Sequence, residues 1–139
     1  LIPTMAETEY VLVEFVPTAP YSVLLSAAKA LTRAGYKPVF AHIERYRCLR
    51  WPGRVWKFKQ AYHITMQMNA DTICRKHSFF NQLWVNRVIR KGCIDIAATE
   101  SHNVTSRPCQ MRACYRELKQ RFGVETANRL CIENPSKIV

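Results

Sequence analysis

No apolar run in this 139-residue chain approaches the roughly 18 residues that a membrane-spanning helix requires, so membrane insertion is not expected. The opening residues, Leu1-Ile2-Pro3-Thr4, offer neither a basic n-region nor an apolar h-region, and no secretory signal is read there. Low-complexity tracts and interdomain linkers are missing too, which argues against disorder. Six cysteines are present, Cys48, Cys74, Cys93, Cys109, Cys114 and Cys131, yet no pair has C-x-x-C spacing. That spacing excludes the simplest zinc-ribbon and thioredoxin-type sites. With no export signal in view, reduced thiols and a cytoplasmic location are the expectation. Acidic residues are scarce: 10 Asp and Glu face 21 Lys and Arg, giving a net charge of +11. Such a balance favours anionic ligands: phosphate esters, nucleic acid, acidic glycans or a membrane surface. The densest basic stretch, Arg45 to Lys59, alternates with Tyr46, Trp51, Trp56 and Phe58, a pattern that an RNA-binding surface can share.

What is present reads as one globular domain over 1–139, with 48% hydrophobic and 22% charged residues. Strand and helix patterns alternate along it. Tyr10–Phe15 is a short apolar run read as a buried strand. Tyr21–Ala34 is amphipathic and Gly35 stops it. Lys37–His42 reads as a second strand, and Pro52 opens a helix to about Ala61. Ile64–Asn69, a helix over Phe79–Lys91 and Ile94–Thr99 follow. Pro108 starts a helix to about Arg121, and a last short one over Glu125–Glu133 is expected to end at Asn134-Pro135. Four strand–helix alternations with short connections predict right-handed parallel β-α units, hence an α/β fold with about four parallel strands, an open sheet or part of a larger barrel.

In parallel β-α architectures the reactive face lies beyond the C-terminal ends of the strands. Those ends deliver Glu14, then His42 with Glu44 and Arg45, then Asn69 and Asp71, then Glu100, Ser101, His102 and Asn103, with Arg107 beyond. Histidine and carboxylate together suit Mn, Fe or Zn, and arginine beside them suits a phosphoryl oxygen. Glu14, inside an apolar strand, must be paired with an arginine or coordinate a metal. Glu100 and His102, two apart, would face one side of an extended segment. His63 and His77 are expected on the surface. Cys48 and Arg54 satisfy the C-x5-R spacing of a cysteine-phosphatase loop. The intervening Leu-Arg-Trp-Pro-Gly lacks the small residues such a loop needs, and the match is discounted.

The blocks Y-V-L-V-E-F at 10–15, G-Y-K-P-V-F-A-H-I-E-R-Y at 35–46, T-E-S-H-N at 99–103, R-P at 107–108 and N-P at 134–135 occur in this order. Together they resemble the bacterial capsule-type tyrosine phosphatases, the CpsB/CapC family of the polymerase-and-histidinol-phosphatase (PHP) superfamily, over almost the whole chain. The resemblance implies part of a distorted PHP-type β/α barrel holding a divalent metal cluster, with manganese expected. It implies that Glu14, His42, Glu100 and His102 are metal ligands and that Arg45 and Arg107 grip the substrate phosphate. The reaction implied is hydrolysis of phosphotyrosine by metal-activated water. The implied partner is a phosphotyrosine protein, a bacterial tyrosine kinase of capsule or exopolysaccharide regulation. A homo-oligomer is compatible with this reading and nucleic acid is not expected. The chain departs from the pattern in two ways. The family's opening H-x-H segment has no counterpart in it, so an incomplete cluster and weak or no turnover by this chain alone are expected. Glu100 also stands where the family has aspartate. The alternative reading is a catalytically degenerate module that binds phosphoprotein or nucleic acid through its basic face.

Overall fold

A computed structural model describes residues 9–99 and 108–138. The strands are β1 (Tyr10–Val13), β2 (Lys37–Phe40), β3 (Thr65–Asn69) and β4 (Ile96–Ala98), in one sheet of order β1-β2-β3-β4. β1 and β2 run parallel with Tyr10 opposite Lys37 and Val13 opposite Phe40, and β2 and β3 run parallel with Val39 opposite Thr65. Among the described residues the sheet does not close on itself. The α/β class and the four strands agree with the sequence reading.

The helices are α1 (Tyr21–Arg33), α2 (Arg54–Ala61), α3 (Ala70–Cys74), α4 (Phe79–Arg90), α5 (Pro108–Phe122), α6 (Val124–Asn128) and α7 (Asn134–Ile138). The chain splits into two compact units, the first running to Gln67 and the second spanning Met68–Lys137.

In the first unit, Leu24 and Ala28 of α1 are fully buried, with Phe40 of β2 and Phe58 of α2. Phe58 packs edge-on against Phe40 with ring centroids 5.0 Å apart, and against Tyr21 at 5.8 Å. Burying each such ring contributes about 1.5–3 kcal/mol. Pro38 sits within β2 without breaking the sheet. The Lys37 amide donates to Glu9 and the Ala41 amide to Val13, both on the β1 side. Alternation turns the donor-less nitrogen of Pro38 toward β3, whose pairing starts only at Val39.

In the second unit, Arg121 near the end of α5 ties three helices together. It donates to the Ile73 carbonyl at 3.1 Å, to Asn86 Oδ1, and to Glu117 at 3.5 Å.

Several boundaries differ from expectation for identifiable reasons. β1 ends at Val13, so Glu14 lies beyond the strand, and Leu12 is exposed on a strand expected to be buried. Pro52 lies in a turn, and α2 starts after Gly53, whose φ of 74° reverses the chain. Asn134-Pro135 does not end the last helix. A π turn over Arg129–Glu133 precedes α7, and Pro135 sits in the first turn of α7. The wider turn accommodates a proline that has no amide to give to the fourth carbonyl back.

Candidate functional site

The residues following β1 and β2 continue side by side after the strands end. The Val13 carbonyl accepts from the Ala41 amide at 3.1 Å, and the Pro17 carbonyl accepts from the Arg47 amide at 3.0 Å. Between them the Phe15 amide donates to the Tyr46 hydroxyl at 3.2 Å. These three bonds hold the segment carrying Glu14 against the segment carrying His42.

His42 has φ 53° and ψ 51°, and it is the only non-glycine with positive φ among the described residues. The left-handed region costs an ordinary L-residue about 1–2 kcal/mol. Such strain persists where the surrounding structure over-determines it, and it clusters at functional sites. The left-handed turn ends β2 and starts a 3₁₀ turn over Ile43–Arg45, in which the Arg45 amide donates to the His42 carbonyl at 3.0 Å. His42 Nε2 then lies 3.2 Å from Glu14 Oε1. The His42 side chain is 15% exposed and that of Glu14 61%. The expectation of a carboxylate buried in a strand is therefore corrected: Glu14 pairs with a histidine, not an arginine, and reaches solvent.

That separation suits two ligands of one cation. With bonds of about 2.1 Å in an octahedral shell, adjacent donor atoms stand about 3.0 Å apart. The donor chemistry, one imidazole and one carboxylate, is also that of borderline divalent ions. Among the described residues, no group of three or more His, Cys, Asp and Glu side chains gathers to hold an ion. Glu100, His102 and Arg107 lie outside the described residues. Arg45 lies exposed on the 3₁₀ turn directly after Glu44, whose backbone carbonyl accepts from Arg50 Nη1 at 3.2 Å. Burial pushes the Arg50 guanidinium below its ordinary pKa, and the nearby Glu44 opposes the shift.

The sequence reading placed Tyr46 among the aromatics of the basic stretch and at the close of the A-H-I-E-R-Y block, and gave it no role at the site. It is 2% exposed. Burial raises its hydroxyl pKa, the hydrogen bond from Phe15 lowers it, and Glu14 and Glu44 raise it further. The hydroxyl therefore stays protonated at neutral pH. Asn69 ends β3 in a buried position, whereas Asp71 is directed to Arg75 at 3.9 Å.

Other expectations resolve as follows. His63 is exposed, but His77 is not simply a surface residue. It links Thr72 to Asn81: Nε2 lies 2.7 Å from the Thr72 carbonyl and Nδ1 2.8 Å from Asn81 Nδ2. In the C-x5-R pair, burial raises the Cys48 thiol, and the Arg54 guanidinium lies 4.4 Å over the Tyr21 ring. Both facts agree with discounting it. Of the four aromatics in the basic stretch, Tyr46 and Phe58 are core residues, so only Trp51 and Trp56 are available for stacking.

The family model for capsular polysaccharide synthesis, CpsB/CapC, matches residues 1–139. The chain belongs to the CpsB/CapC family. Within it, this CpsB/CapC chain is 26% identical over 144 residues to the tyrosine-protein phosphatase CpsB of Streptococcus pneumoniae, covering 99% of the chain and 59% of that protein. It is 28% identical over 146 residues to CpsB of Streptococcus agalactiae serotype V, with the same coverage. The chain thus spans about three fifths of the length of the curated relatives it matches. A crystal structure described as YwqE from Bacillus subtilis and CpsB from Streptococcus pneumoniae, metal-dependent tyrosine phosphatases, superposes with a TM-score of 0.80. It shares 22% identity over 97% of this chain and 54% of the other, a likeness of fold.

Proposed function

We propose that this chain supplies part of a metal-dependent phosphotyrosine phosphatase site serving capsule polysaccharide synthesis. The observation that carries the reading is the 3.2 Å approach of Glu14 Oε1 to His42 Nε2, with His42 held in a left-handed conformation. It is supported by the relatives' names and by the order of the family blocks in the sequence. In this reading Glu14 and His42 hold a divalent ion, manganese by preference, and Glu100 and His102 are further ligands. Such an ion, when bound, supplies Lewis acidity toward a phosphoryl group and acidifies water.

The chain's own residues do the rest. Arg45 and Arg107 bind the non-bridging phosphate oxygens and offset the charge that grows on them as the ester bond breaks. Tyr46 fixes the Glu14 segment through the Phe15 amide and so sets the spacing of the ligand pair. The substrate is a phosphotyrosine protein, a bacterial tyrosine kinase of the export system, met in the cytoplasm.

The test is binding and hydrolysis of a phosphotyrosine peptide by the chelator-stripped chain, with and without manganese. Binding should require manganese, and Arg45→Ala or Arg107→Ala should weaken it about tenfold or more, the loss of one charged hydrogen bond. Slow turnover is expected. Binding that ignores manganese and both arginines would overturn the assignment.

A further inference from the structure

Three thiols that the phosphatase reading leaves unused meet in the second unit. Cys74 is the last residue of α3, Cys114 lies within α5, and Cys131 lies in the π turn over Arg129–Glu133. α3 packs on α5, and α5 packs on α6, which leads into the π turn. Cys114 is fully buried on α5, and Cys131 packs against the same stretch of that helix, beside Arg112, Tyr115 and Arg116. Cys131 is half-buried and Cys74 exposed.

The three are not equivalent. The neighbouring Cys114 thiol lowers the Cys131 pKa from its ordinary value, while Cys131 and burial raise that of Cys114. Burial and the Glu117 carboxylate push Cys74 up. Of the pair Cys114 and Cys131, Cys131 is thus the thiol whose ionisation is favoured, and the thiolate is the nucleophile. It also has access: it lines a cavity of about 310 Å3 with Met111, Tyr115, Arg112 and Arg116. The two guanidiniums are one helical turn apart and favour an anionic reactant. Single π turns of this kind recur at functional sites.

We propose that Cys131 is a thiol–disulfide exchange site for an anionic low-molecular-weight disulfide of the glutathione class, with Cys114 as the resolving thiol. In the first step the Cys131 thiolate attacks one sulfur of RSSR. The Cys131–SR bond forms, the S–S bond breaks, and the departing RS⁻ takes up the proton that Cys131 gave to solvent. In the second step Cys114 loses its proton and attacks Cys131 Sγ. The Cys114–Cys131 bond forms and a second RSH leaves with that proton. Two protein thiols are oxidised by two electrons, and one RSSR is reduced to two RSH.

The test treats the full chain with oxidised glutathione, quenches with acid, alkylates the remaining thiols and digests with trypsin. The three cysteines fall in separate fragments, 60–75, 113–116 and 130–137. Mass spectrometry should find 113–116 linked to 130–137. In Cys131→Ser that link should vanish and 113–116 should remain alkylated. In Cys114→Ser, 130–137 should carry one glutathionyl group instead. The folding of each variant is checked by circular dichroism. If Cys114→Ser fails to fold, the wild-type fragments and Cys131→Ser still decide the matter. Glutathione found on 60–75 while 130–137 stays alkylated would overturn the proposal. A glutathionylated 130–137 in the wild type that never links to 113–116 would overturn the resolving role. Neither outcome bears on the metal-site reading, which uses none of these thiols.

Discussion

Replacing His42 by glycine and by alanine separates the conformation of this position from its chemistry. At φ 53° and ψ 51°, a residue with a Cβ carries about 1–2 kcal/mol of local strain that glycine does not. Glycine gives back about 0.4–1 kcal/mol through its freer unfolded chain. The difference makes His42→Gly more stable than His42→Ala by roughly 0.5–1 kcal/mol. Both variants lose the contact to Glu14. That carboxylate is 61% exposed, so the loss costs each of them less than about 1 kcal/mol. Equilibrium unfolding in urea, followed by circular dichroism and extrapolated linearly, resolves a difference of this size when the two curves share one slope. Manganese binding should be lost equally in both. An alanine variant as stable as the glycine variant would refute the strain argument. A variant that still bound manganese as the parent does would refute the ligand role.

Tyr46→Phe removes the acceptor of the Phe15 amide. It should cost about 1 kcal/mol in the same unfolding assay and weaken manganese binding about tenfold in calorimetry, as loss of an outer-shell support does. Phe58→Ala empties a fully buried site between Phe40 and Tyr21 and should cost about 3–5 kcal/mol, read as a lower denaturant midpoint. Glu9 is held below its ordinary pKa by Lys37, 3.0 Å away. A carboxylate depressed in this way adds stability above its unfolded pKa and loses it as pH falls through the folded value. An NMR titration should therefore show Glu9 titrating low in the parent and back in the ordinary range in Lys37→Ala.

Periodicity carried the strand–helix order because each element buries a face whose spacing is local. The 3.6 pattern of Leu24 and Ala28 and the runs at Val39 and Phe40 are visible in any short window. The strand-end rule likewise brought Glu14 and His42 together, since it depends only on topology. The missed features depend on partners distant in sequence. Nothing near His42 announces a left-handed residue, since no glycine, asparagine or aspartate stands at or beside it. The conformation is imposed by the pairing of 13–17 with 41–47. The role of Tyr46 depends on Phe15, 31 residues earlier. His77 looked like a surface residue because Thr72 and Asn81 are ordinary polar residues until a turn brings them to its two nitrogens. The thiols of Cys74, Cys114 and Cys131 share no spacing motif, and only the packing of α3, α5 and the π turn joins them.

The central claim is that Glu14 and His42 act together as ligands of a divalent ion. Isothermal titration of manganese into the chelator-stripped chain tests it most directly, with Glu14→Gln and His42→Ala run beside the parent. The account predicts saturable heat for the parent, a raised melting temperature with the ion, and loss of both in each variant. No heat and an unchanged melting temperature for the parent, or equal binding by all three proteins, would contradict it.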